Sequence, residues 1–336
     1  MIAKIMTITR RRSLLILSGA FAAAEEFGLT QRWRQIARAA GGTVGAAALH
    51  LASGRHAGLN GGERFPMASV CKLPVAIHLL ALVDEGRFSL AQPIEVLPQD
   101  IFPSVSEIAR RWPRQRAFPL EEMLRLMVAQ SDNTAMETLF RIGGGAPAMA
   151  ARFRQWAIAG MRVDCGEEQL ALEGIAAQLP PRPQWTGEMY TRLMNATSPA
   201  VRARSIVRYL ADPRNTATPD ATVRLLARAF RGELLAKNTT ATLIEILKAT
   251  TTGPARLKGL LPEGTVVAHK TGAWGSSSNP VNGATNDVGV MYLPGGGELA
   301  VAVFLKGSTR DEAARDRIIA EITRAAYDAH REFAPR

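Results

Sequence analysis

The order of strand-forming and helix-forming segments is what most limits the folds open to this 336-residue chain. A β-prone run of small residues at 43–51, with a turn at Ser53-Gly54, lies near one end. Three more strand-like runs, 265–270, 287–293 and 299–305, lie near the other, the last two joined by the hairpin turn Pro294-Gly295-Gly296-Gly297. Between these ends, apolar residues recur at helical spacing over 69–84 (Leu73, Ile77, Leu80, Val83), and helices are also expected at 120–129, 133–142, 146–157, 219–231 and 238–248. Residues 29–40 and 310–333 read as amphipathic helices flanking the whole. This order predicts an α+β fold. An antiparallel sheet drawn from both chain ends (25–65 with 249–336) would be covered by helices, with an all-helical lobe (66–248) inserted between them. A hydrophobic content of 47% is enough for a substantial core.

The first 24 residues read as an export signal. Lys4 and Arg10, Arg11 and Arg12 precede the apolar stretch 13–24, which ends in small residues at Ala22-Ala23-Ala24. Thr9-Arg10-Arg11-Arg12-Ser13-Leu14-Leu15 has the form of a twin-arginine signal, which predicts a periplasmic protein exported already folded. Twelve apolar residues fall short of the ~20 needed to span a bilayer, so no stable membrane anchor is expected after cleavage. Removing the signal takes away four basic residues and no acid, which lowers the net charge from +11 to +7. The one basic cluster, Arg110-Arg111-Trp112-Pro113-Arg114-Gln115-Arg116, comes with no nucleic-acid motif and is expected to be solvated surface. A basic field instead favours a small anionic substrate.

Cys71 and Cys165 are too few for a disulfide framework, and two buried thiols are the expectation; a single bridge stays open. The five histidines lack metal-ligand spacing, so neither a metal nor any other cofactor is predicted.

Three short motifs carry the chemistry: Ser69-Val70-Cys71-Lys72, Ser131-Asp132-Asn133 and Lys270-Thr271-Gly272. Ser69 opens a helix, where unpaired N–H groups and the helix dipole favour negative charge developing on a nucleophile. Lys72, three residues on, shares its helical face and can accept its proton. Taken alone, Ser69 reads as an ordinary N-cap and Lys72 as a surface lysine; the other two motifs reverse that reading. Asp132 is expected to tie its turn together by accepting backbone N–H bonds. Gly272 would leave room for a ligand against the strand backbone.

Together and in this order, the three motifs resemble the set found in class A β-lactamases and penicillin-binding proteins. The likeness runs from about Leu29 to near the C-terminus and includes Arg64-Phe65-Pro66-Met67-Ala68. Thr285-Asn286-Asp287-Val288-Gly289 is similar to the extended-spectrum branch that carries a T-N-D-x-G strand. The resemblance implies a monomeric serine hydrolase that confers antibiotic resistance by opening β-lactams through an acyl-enzyme. Ser69 would be the nucleophile, Ser131 would relay a proton to the leaving nitrogen and Asn133 would turn its amide to the substrate side chain. Lys270 and Thr271 would bind the substrate carboxylate. The backbone N–H groups of Ser69 and Ala273 would form the oxyanion hole. Arg256 matches a second carboxylate-binding cation, with an ordinary surface arginine as the alternative.

Arg162-Val163-Asp164-Cys165-Gly166-Glu167-Glu168-Gln169-Leu170 resembles the family's Ω-loop, and this alignment makes Glu167 the base that activates water, with Glu168 next in line. Two departures follow. Ala171 stands where an asparagine is usual, and the segment of about 172–215 is a long insertion that looks helical near 188–195 and 200–210. A penicillin-binding D,D-peptidase shares the three motifs without the loop glutamate. A non-hydrolysing β-lactam sensor or wall-binding protein is the rival that Ala171 and the insertion motivate.

Overall fold

A computed structural model describes residues 26–331, apart from residue 177 and residues 276–279. The expected export signal, residues 1–24, lies outside the described residues. Five antiparallel strands form the main sheet: β1 (Thr43–His50), β2 (His56–Leu59), β3 (Val267–Trp274), β4 (Asn282–Leu293) and β5 (Gly297–Ser308), in the order β2-β1-β5-β4-β3. Both chain ends contribute, as the order of segments implied. All three C-terminal strands outrun their sequence estimates, and β3 continues through the Lys270-Thr271-Gly272 motif instead of stopping at it.

The faces of β5 show why the sheet is covered on both sides. Val301, Val303 and Leu305 pack on one face with Trp33, Ile319 and Ile322, while Ala300, Ala302 and Phe304 join the core on the other. A period of two in side-chain direction, with both sets apolar, requires a layer on each face. The first layer is the helix 26–37 with the helix Glu312–His330. The second includes Pro219–Phe230 and the buried helix Lys72–Asp84, in front of the lobe containing Leu120–Ala129, Asn133–Ile142 and Gly145–Gln155.

The insertion folds as the two anticipated helices, Gly187–Ala196 and Pro199–Ala211, together with a helix Glu167–Ile175 where the sequence pointed to loop. Its neck is closed by a bridge between Met161 and Ala217, by the Arg162 N–H donating to the Thr216 carbonyl (3.0 Å), and by the Asn215 side chain accepting from the N–H groups of Asp164 and Cys165. Arg182 pins the insertion to the lobe: it ion-pairs with the buried Glu137 at 2.5 Å and lies over the rings of Phe102 and Trp185.

Candidate active site

Three elements converge on one cleft. Ser69 sits in a 3-10 turn, Ala68–Cys71, that runs straight into the helix Lys72–Asp84, so it caps nothing and its hydroxyl is available for chemistry. Ala68, just before it, is held at φ 45°, and Ser131 at φ 64°. Such left-handed conformations cost a non-glycine residue about 1–3 kcal/mol, and they cluster where a site requires them.

Strand β3 forms the sheet edge beside this turn. A Cβ on Gly272 would lie 2.6 Å from the Met67 carbonyl oxygen and 3.2 Å from Ser69 N. The glycine is therefore needed because strand and turn backbones touch, a reason beyond the ligand clearance read from the sequence. Asn286 on β4 fixes the same approach: its buried amide donates to the carbonyls of Pro66 and Met67, both at 2.9 Å, and its Oδ1 accepts from Leu305 N–H. A buried asparagine inside an apolar strand was the signal available for this role, because strands disfavour it and burial obliges it to be bonded.

The hydrogen bonds around Ser69 define their own directions. The Ser69 hydroxyl donates to Glu167 Oε2 at 2.6 Å and accepts from Lys72 Nζ at 2.8 Å. Lys72 is fully buried and also donates to Asn133 Oδ1 (2.5 Å) and the Ser131 carbonyl (3.0 Å). Ser131 Oγ (3.2 Å) and Glu167 Oε2 (3.4 Å) complete its surroundings, so the surface-lysine alternative falls and Glu167 is the acceptor facing the nucleophile. Glu168 points elsewhere, to Asn133 and Ser104. Ser131 Oγ lies between two amines, Lys72 Nζ at 3.2 Å and Lys270 Nζ at 3.0 Å. With both lone pairs accepting, its proton is free to be given away.

Asp132 accepts from Ala135 N–H, Ile108 N–H and Ser106, the structural part anticipated for it. Thr271 shares a hydrogen bond with Thr252 beside Lys270, and Ala273 is exposed on the cleft wall. Arg256 is only 6% exposed, which corrects the surface alternative. Its Nε binds Asp316 at 2.8 Å, and its Nη1 donates to the carbonyls of Gly272 and Asn286, both at 3.2 Å, so it braces β3 from behind. Cys71 and Cys165 are free and buried, and burial pushes both thiols up, Cys165 to about 12.

Burial, and next the charge of Lys72, push Lys270 down to about 7. Below that pH the amine is charged and attracts an anionic substrate; above it the charge is lost. For such a substrate kcat/KM, which reports the free enzyme, is accordingly expected to fall as pH rises through about 7. Lys270→Arg should remove that fall, and a parental profile flat to pH 9 would assign the anion to another cation.

The cleft encloses about 270 Å³ and is lined by Asn133, Glu167, Glu168 and Ala171 on the inside and by Ala273 and Trp274 on the strand side. The insertion is its outer wall, through Tyr190, Met194, Arg202 and Ile206. Tyr209 of the same insertion stacks on Trp274 with ring centroids 4.3 Å apart, so the insertion packs against the end of β3.

Comparison with known proteins agrees with this geometry. A model of the "Beta-lactamase enzyme family" matches residues 28–330. Beta-lactamase VEB-1 of Pseudomonas aeruginosa is 29% identical over 330 residues, 96% of this chain and 98% of that protein. The extended-spectrum beta-lactamase PER-1 of the same species is 31% identical over 271 residues, 80% of this chain and 76% of that protein. Among solved structures, a beta-lactamase from Chitinophaga pinensis superposes with a TM-score of 0.75 at 34% identity, covering 90% of this chain and 99% of that one. TLA-3 extended-spectrum beta-lactamase superposes with a TM-score of 0.74 at 29% identity, covering 90% and 98%. With the motifs gathered on Ser69 and the match spanning nearly the whole described chain, the protein belongs to the β-lactamase enzyme family, in its class A serine branch.

Proposed function

We infer that this protein hydrolyses β-lactams by serine acylation and water-driven release, and so protects its host from these antibiotics. One observation carries the reading: the Ser69 hydroxyl donates to Glu167 while Lys72 donates to it, which prepares the oxygen to lose its proton and attack. Oxyanion binding falls to the backbone N–H groups of Ser69 and Ala273, a role supported by the close approach of β3 to the Ser69 turn. Ser131 passes its proton to the departing nitrogen and is resupplied by the amines beside it. Lys270, Thr271 and Gly272 seat the substrate carboxylate, and Arg256 holds the Gly272 carbonyl in place behind them.

Once Ser69 is acylated its O–H is gone, and Glu167 loses a donor. The proton Glu167 took from Ser69 passes to Lys72, 3.4 Å away, replacing the one Lys72 gave to Ser131; the carboxylate then takes a water in place of the hydroxyl and draws a proton from it. Ala171 lines the same cleft and offers no hydrogen bond, so Glu167 orients this water without help from that position.

Arg256→Ala is expected to lower kcat/KM about ten- to a hundredfold, because the carbonyls of Gly272 and Asn286 lose their charge-assisted donor and the strand beside Ser69 loosens. An unchanged value would detach Arg256 from the reaction. The reading as a whole is tested with nitrocefin: steady turnover supports hydrolysis, while a single stoichiometric burst would replace it with the sensor. We further place the mature protein in the periplasm as a monomer, exported by the twin-arginine route on the strength of Arg10-Arg11-Arg12.

A further inference from the structure

Glu168 is a buried carboxylate with no basic partner. It is 5% exposed, lines the cleft, and among the described residues no lysine or arginine ion-pairs with it. Its hydrogen-bond partners are neutral: Ser104 and Asn133 both donate to Oε1, and the Tyr190 hydroxyl beside them donates to Ser104 Oγ at 3.4 Å. Burial, with Glu167 and Glu137 adding repulsion, pushes its carboxyl up to about 7, so near neutrality a substantial fraction is an anion facing the cleft.

The same contacts occupy Asn133. Its Oδ1 accepts from Lys72, and its amide N–H groups reach Glu168 Oε1 at 2.5 Å and the Ser104 carbonyl at 3.1 Å. An amide nitrogen carries two hydrogens, and both have acceptors. A substrate carbonyl arriving at Asn133 must therefore compete with a carboxylate. A carboxylate offers about four lone-pair sites and the two donors, Ser104 and Asn133, both reach Oε1, so Oε2 keeps acceptor capacity for a donor.

We propose that Glu168 reverses the polarity of the side-chain subsite and selects β-lactams whose acyl side chain carries a cationic or N–H donor group next to its amide. A cation brought by the substrate supplies the counter-charge that the fold withholds, whereas an anionic side chain meets repulsion in a poorly solvated cleft. Arg202, the basic residue of the outer wall, is tied to the carbonyls of Met194 and Thr197 and acts on parent and variant alike.

This inference rests on the β-lactamase reading of the same cleft. Its test uses two penicillins that differ at one side-chain carbon: ampicillin, bearing an amino group there, and carbenicillin, bearing a carboxylate. Glu168→Gln is expected to lower the ampicillin-to-carbenicillin ratio of kcat/KM about tenfold, a typical size for one charge-assisted contact. Both substrates are read on one preparation, so the ratio is independent of how much of the variant folds. Loss of activity on both in equal proportion would make Glu168 a prop for Asn133 and overturn the selectivity. If the variant yields no enzyme, the acyl-enzyme of Glu167→Ala with ampicillin decides by crystallography. The amino group is expected within hydrogen-bond distance of Glu168, and a side chain turned out to solvent overturns the proposal. Should neither penicillin be turned over by the parent, the hydrolase reading fails first.

Discussion

Glu167→Ala is expected to acylate and then stall, giving a burst of one equivalent followed by turnover lowered by a factor on the order of 10³, within the range a positioned general base contributes. The asymmetry follows from the contacts of Ser69. Without Glu167, the hydroxyl still lies 2.8 Å from Lys72, which can take the proton after surrendering one of its own, so acylation slows but persists. Release has no such substitute, because Ala171 is apolar and Glu168 is bonded to Ser104 and Asn133 instead of facing Ser69. Rapid-quench or stopped-flow traces, with mass spectrometry of the accumulated adduct, check the result. Parental turnover in this variant, with the block appearing in Glu168→Ala, would move the base by one residue.

Ser69→Ala should abolish hydrolysis, with a loss on the order of 10⁶ as found when a catalytic serine is removed elsewhere, and leave the fold in place. The substitution deletes one hydroxyl. Lys72 keeps acceptors in Asn133 and Ser131, and no helix cap is lost because Ser69 caps none, so stability should change by no more than about 1 kcal/mol. After incubation with benzylpenicillin, peptide mapping should find the adduct on Ser69 of the parent and none on the variant. An adduct on another residue would remove Ser69 as the nucleophile.

Local spacing alone makes part of this legible. Lys72 reaches Ser69 because both lie within one turn of the chain, and the helices 120–129 and 133–142 fall where their apolar periodicity places them. The chain order likewise implies a sheet made from both ends. Strand lengths are underestimated by the same reading because β3 and β4 continue through polar residues, Lys270, Thr271, Thr285 and Asn286, which are buried by neighbours distant in sequence.

What the residues could not announce depends on which distant segments meet. The sequence by itself determined the three motifs, the nucleophile and its neighbouring amine, because these follow from residue type and the pitch of a helix. Only the tertiary structure showed that Glu167 reaches Ser69 while Glu168 reaches Asn133, since adjacent residues at the start of a helix point about 100° apart. It also turned Arg256 into a buried brace through Asp316, sixty positions away, and made Asn286 the clamp on the nucleophile's turn across some 220 residues. Burial removes water as a partner, so each of these polar groups takes whichever acceptor or donor the fold brings to it, and that identity is written in no local stretch of chain.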